Sequence, residues 1–169
     1  MASNFPAMLY FTNVEGGADT QMKTPLSTAT FKPYALVVQD VSGGAGDGTI
    51  NECGADPALI LGVAMSAAID PNSPYGYVNA ATYLTKVPVV VLRPSMVVGL
   101  CVGTGTLVQA DEEKDYGITK LANGNWSLDR TKVTAGTNTR FHVTRVYVTQ
   151  QIALGYFLAT NLQGDAIAS

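Results

Sequence analysis

Histidine, cysteine and charge are scarce in this chain of 169 residues, and each scarcity narrows what the protein can do. The one histidine is His142, so catalysis of the Ser-His-Asp or Cys-His kind has a single candidate base. It stands inside "RFHVTRVYV", with nothing resembling a nucleophile elbow nearby. His142 is therefore read as a polar residue on a strand face, dispensable for function. Cys53 and Cys101 are the two cysteines, and neither has a Cys or His at ligand spacing, which argues against a zinc site. They are expected to be buried free thiols of a reducing compartment. Lys and Arg total 10, without a cluster, and the net charge is −3, so the positive field that phosphate binding needs is missing. Long apolar runs are missing too. Residues 58–65 are too few to cross a bilayer, and "SMVVGLCVGTGTLV" is broken by Gly99, Gly103 and Gly105. The first basic residue is Lys23, with no long apolar stretch before it, so no secretory signal is expected.

What is present favours strands. Val, Ile and Thr together supply 42 residues, and Glu supplies four. Hydrophobic residues make up 47% and charged residues 14%, so much of the surface is neutral, as in a protein that lives in an assembly. Gly and Pro punctuate almost every stretch. The longest piece free of both, 137–154, is β-branched and aromatic. About ten short strands are expected, near 8–11, 36–39, 59–65, 87–92, 97–102, 106–109, 118–121, 125–129, 140–149 and 156–160. Helix is expected only in short pieces, near 78–84 and around "ADEEKD". The fold class is all-β: a small β-barrel or β-sandwich of short antiparallel strands with a flexible N-terminal arm.

Two segments carry local detail. In "ITKLANGNWSLD", Asn123-Gly124 suits a type I′ turn, which makes the flanks a hairpin and places Trp126 just past it, at one end of the core. Strict alternation along 140–149 puts Phe141, Val143, Arg145 and Tyr147 on one face and His142, Thr144, Val146 and Val148 on the other. Both faces are half apolar. The strand is therefore expected to be covered twice, by its own core and by a neighbouring subunit, with Arg145 and Tyr147 in the subunit interface. A length of 169 residues suits one domain. Residues 1–30 are read as an extended arm, 31–163 as the β-rich body and 164–169 as a frayed tail. Within the arm, Met8, Leu9, Tyr10 and Phe11 form an apolar run ahead of a small, polar tether, and are the candidate binding segment. "VEGGA" and "VSGGA" echo each other, but the likeness stops there and no repeat is assigned.

Chemistry-bearing patterns are few. Asp111, Glu112, Glu113 and Asp115 could in principle supply a carboxylate pair for glycoside hydrolysis, yet with Lys114 among them they read as a solvated turn. "GGAGDGT" at 43–49 has Asp47 one place early for a calcium repeat and reads as a loop between strands. "GTGT" at 103–106 lacks the third glycine of a dinucleotide fingerprint. Asn125-Trp126-Ser127 matches a glycosylation acceptor but suits plain turn chemistry. No catalytic, cofactor-binding or metal-binding residue is assigned, and no enzyme is expected.

The stretch "ALVVQDVSGGAGDGTINECGADPALILGVAMSAA" joins a strand, a polar loop, an isoleucine strand, an Asp-Pro turn and an apolar "LGVA". With the later "DYGITKLANGNWSLDRTK" and "TRFHVTRVYV", it resembles the capsid decoration (cement) proteins of tailed bacteriophages, over about residues 31–160. The resemblance implies a structural virion protein that binds the outer surface of an icosahedral capsid and clamps neighbouring major capsid subunits. It implies a homo-oligomer, a trimer ahead of a dimer, made in the host cytoplasm, without cofactor, nucleic acid or membrane. The competing expectation is a carbohydrate-binding or fibre-base β-sandwich module of a virion, with Tyr75, Tyr77 and Trp126 as its exposed aromatics. On either reading Gly62 marks a strand position that another group approaches closely, rather than a catalytic turn.

Overall fold

The computed structural model describes residues 10–12, 19–26, 29–41, 43–44, 48–68, 86–94, 96–135 and 137–163. The expected tail at 164–169, the helix near 78–84, and Met8, Leu9, Tyr75 and Tyr77 lie outside them. The fold is all-β. Its strands are β1 (Tyr10–Thr12), β2 (Thr20–Lys23), β3 (Leu36–Gln39), β4 (Ile50–Glu52), β5 (Gly62–Ala64) and β6 (Val87–Val91). They continue with β7 (Val97–Thr104), β8 (Lys114–Lys120), β9 (Trp126–Asp129), β10 (Phe141–Tyr147) and β11 (Ile152–Phe157). Single 3-10 turns occur at Gln109–Asp111 and Ala159–Asn161.

The chain forms two compact units, Met1–Gly17 with Arg93–Asn161, and Ala18–Leu92 with Leu162–Ser169. This replaces the single body expected over 31–163. Each unit closes a hydrogen-bonded ring of its own. In the first ring the antiparallel order is β2-β6-β5-β3-β4. The chain just past β2 then returns to β4 in parallel: Ile50 N–H donates to Thr24 O, and Leu26 N–H donates to Ile50 O, each at 2.9 Å. Pro25 stands between these bonds, where the missing N–H is not needed for pairing. In the second ring β7, β11, β10, β8 and β9 follow one another antiparallel, and β9 returns to β7 in parallel through Val102↔Leu128 and Thr104↔Asp129. β1 adds to the free half-edge of β7, with Tyr10 opposite Gly99.

Strand for strand, the two rings share one topology. The first strand lies between the third and fifth, parallel to the third, and the second lies between the third and fourth. The cores differ in chemistry. The first ring packs aliphatic groups, including Val37, Ile50, Leu61, Val89 and Val91, around Phe31. The second buries Trp126, Phe141, Phe157, Leu100, Ile118 and Leu128. Phe141 and Phe157 meet edge to face at 5.3 Å. Full burial of each large apolar side chain stabilises by about 1.5–3 kcal/mol.

Several local expectations change. The arm does not extend to residue 30, because β2 pairs with β6 from Thr20↔Val90 to Lys23↔Val87, and Ala29 is buried. The segment "TQMKTPL" reads as a tether because a half-exposed strand needs few β-branched residues. Asn123-Gly124 does not make a type I′ turn. Leu121 N–H donates to Asn125 O and Gly124 N–H to Leu121 O, both at 2.8 Å, and of the pair only Gly124 has a positive φ, +84°. That is a three-residue hairpin loop whose glycine takes the left-handed position. Residues 106–109 form no strand, and "ADEEKD" gives one 3-10 turn followed by β8.

The largest correction concerns β10. Its register with β11 slips between Val143↔Gly155 and Arg145↔Leu154, leaving Thr144 as an extra residue. The Thr144 hydroxyl donates to the Leu154 carbonyl at 3.2 Å. The bulge advances the alternation by one residue. Val146 joins Phe141 and Val143 inside, while Arg145 and Tyr147 join His142 outside. The strand that looked two-sided has one buried face.

Candidate functional site

The outer face of β10 and β11 gathers the side chains that sequence reasoning singled out. Across β8, β10 and β11 lies the row Asp115, His142 and Tyr156. His142 Nδ1 meets the Asp115 carboxylate at 2.7 Å, and its Nε2 lies 3.5 Å from Glu113 Oε2. The imidazole stacks on the Tyr156 ring at 4.9 Å with an interplanar angle of 28°. A carboxylate only accepts, so the Nδ1–H points at Asp115 and the ring is fixed in one orientation.

The four acids expected to be a solvated turn have distinct structural duties. Glu113 has φ 60°, and its backbone N–H donates to the Val143 carbonyl at 2.8 Å. Glu112 accepts the backbone N–H of Val146 at 3.0 Å, where the edge of β10 passes beyond β8. Asp111 corrects the expectation most, because its side chain is fully buried. Its carboxylate accepts from Tyr116 O–H at 2.6 Å, Arg130 Nε at 2.7 Å and Val108 N–H at 2.9 Å. Burial alone would raise its pKa, but the bonds from Arg130, Tyr116 and Val108 prevail and hold it at about 2. Burial and the Asp111 charge together push Tyr116 up to about 12. These groups fasten the 3-10 turn to β8.

Arg145 and Tyr147 lie on the same outer face, both exposed, with the guanidinium carbon 5.8 Å from the ring centroid. Opposite them on β11 are Leu154 and Ile152, each half-buried. This face therefore joins a cation, an aromatic ring and two aliphatic side chains. Of the arm's candidates, Tyr10 and Phe11 belong to β1, with their backbone paired to Gly99 and Val98.

Neither cysteine forms a disulfide. Cys53 is buried in the first ring and Cys101 half-buried in the second. Burial, with a smaller push from the Glu52 charge, raises the Cys53 thiol to about 12. Among the described residues, no group of three His, Cys, Asp or Glu side chains could hold a metal ion. No described helix is long and apolar enough to cross a membrane. Trp126 is 1% exposed and offers no surface to a sugar. At Gly62 a Cβ would overlap the Val90 carbonyl oxygen and lie 2.9 Å from Val89 Cγ1, so the close approach expected there is the reason for the glycine. Comparison with protein-family models, curated proteins and solved structures finds no match.

Proposed function

We propose that this chain is a structural virion protein, a capsid decoration protein that binds the outer surface of an icosahedral phage capsid and clamps neighbouring major capsid subunits. The resemblance over residues 31–160 supplies the partner. The observation that carries the reading is the outer face of β10–β11. Arg145 and Tyr147, with Leu154 and Ile152 opposite them, make the mixture of cation, aromatic and aliphatic groups that protein interfaces favour. In this reading the face joins copies of the chain into a homo-oligomer, a trimer ahead of a dimer, around a local axis of the shell. Function needs no cofactor and no turnover, and the protein resides on the capsid exterior after synthesis in the host cytoplasm.

Cosedimentation with shells stripped of decoration tests the proposal. The wild-type chain pellets with the shells at a fixed ratio to the major capsid protein. The double substitution Arg145→Ala with Tyr147→Ala lowers both the oligomeric mass in light scattering and the retained fraction. A folded wild-type chain that stays in the supernatant at every concentration refutes the capsid reading.

A further inference from the structure

A twofold contact joins one patch to itself, whereas a ring of three joins two different patches head to tail. The face of Arg145 and Tyr147 on β10 therefore needs, in the trimer proposed above, a different receiving surface on the next copy. Its side chains set the terms. Arg145 and Tyr147 stand out from the strand, and Val148 beyond them is 41% exposed. A surface that takes them has to be concave, apolar and acidic. An open groove of about 470 Å³ on the first ring has these properties. Leu26, Val38, Val41 and Leu59 form its apolar wall, and Asp40 is the one charged residue among the described lining residues. Val41 is 59% exposed and Leu59 41%, high values for aliphatic side chains sharing one concavity. The wall is also held in place. The Gln39 backbone is clasped by the Gln163 amide, whose Oε1 accepts its N–H at 2.8 Å and whose Nε2 donates to its carbonyl at 2.7 Å. Lys23 Nζ donates to the Gln39 Oε1 at 2.8 Å. A wall fixed before the partner arrives lowers the ordering cost of binding.

We propose that the groove of one copy receives Tyr147 and Arg145 of the next. The Tyr147 ring and Val148 fill the aliphatic concavity, and the Arg145 guanidinium comes to the Asp40 carboxylate. Aromatic and arginine anchors seated in a partner's pocket are the residues that carry most of an interface's energy. Charge selects this pairing over its alternatives. Groove on groove would set Asp40 against Asp40, and face on face would set Arg145 against Arg145, whereas groove on face sets opposite charges together. The inference rests on the assembly proposed above and names the surface that completes it.

Two full-length variants test this. Leu59→Arg puts a bulky cation in the groove and leaves the β10–β11 face intact, and Tyr147→Ala does the reverse. Each is checked for folding by circular dichroism and Trp126 fluorescence. If Leu59→Arg does not fold, Val41→Arg, at the more exposed position, takes its place. Light scattering after gel filtration is expected to find each variant monomeric at concentrations where the wild type is oligomeric. Mixed in equal amounts, the two are expected to form a one-to-one dimer and nothing larger, because one intact face meets one intact groove. A folded groove variant that stays oligomeric would overturn the inference and leave the assembly face standing. Two monomers that do not combine would overturn it as well, since the contact would then join a patch to itself. A wild-type chain that is monomeric throughout would remove both this inference and the assembly on which it rests.

Discussion

Replacing Asp111 with asparagine keeps the shape of a fully buried side chain and removes its charge. The carboxylate holds three donors, and an amide can accept from at most two of them without turning its own N–H groups on the third. The difference between the ordinary 3.8 and about 2 corresponds to roughly 2–3 kcal/mol favouring the ionised folded form. The Arg130 side chain is 35% exposed, so water screens part of its share and about 2 kcal/mol is the better expectation. Removing the side chain altogether, as Asp111→Ala, leaves Tyr116 O–H and Val108 N–H without this acceptor and is expected to cost about 2–4 kcal/mol. Urea titration read by Trp126 fluorescence is a suitable assay, because the only tryptophan is buried in the same ring. The pH dependence has a definite sign. A depressed carboxylate pKa stabilises the fold above the unfolded value of 3.8, and that contribution is lost as pH falls through about 2. The wild type is therefore expected to lose about 2 kcal/mol between pH ~5 and pH ~2 that the Asn variant does not lose. A variant within about 0.5 kcal/mol of wild type, or one with the same acid profile, would refute the assignment of Asp111 as a stabilising buried anion.

Two further experiments use substitution and labelling. Gly62→Ala is expected to destabilise by at least about 1–3 kcal/mol in chemical denaturation, since its Cβ meets the Val90 carbonyl, whereas Gly54→Ala, with nothing within 4 Å of its Cβ, stays within about 0.5 kcal/mol. With iodoacetamide near neutral pH, Cys101 is expected to react ahead of Cys53, whose thiol is raised to about 12 by burial; mass spectrometry of native and unfolded protein reads the order, and equal native rates would contradict it.

The sequence made the fold class legible because composition and punctuation are local signals. β3 and β6 stand where β-branched runs placed them, and the β8–β9 hairpin is where Asn123-Gly124 placed a turn. What was not legible depends on partners distant in sequence. β2 alternates half-buried and exposed positions, and only pairing with β6 makes it a strand. The bulge at Thr144 adds one residue that no propensity scale marks, yet it decides which of Arg145 and Val146 faces solvent. The turn holding Asp111 looked solvated because acids in a row usually are. The signal against that reading was Tyr116 and Arg130, five and nineteen residues further along. Nothing in their spacing announces a shared carboxylate.

The shared topology of the two rings shows why similarity of structure can leave no trace in sequence. Each ring is specified by two things, a hydrogen-bond register and one buried face, and many side-chain sets satisfy both. The first ring fills its interior mainly with Val, Ile, Leu and Ala beside Phe31, and the second with Trp126, Phe141 and Phe157 among Leu, Ile and Val, so the two cores differ in side-chain make-up. What recurs is backbone necessity. Where the fourth and fifth strands of each ring pair, a glycine meets a carbonyl oxygen of the other strand: Gly62, on the fourth, against Val90 in the first ring, and Gly155, on the fifth, against His142 in the second. Each unit also uses a glutamine amide as a surrogate peptide group. Gln163 clasps the N–H and C=O of Gln39, and Gln151 accepts from Leu107 N–H at 2.8 Å while donating to Leu107 O at 3.1 Å. The two amides satisfy main-chain groups that regular pairing leaves open.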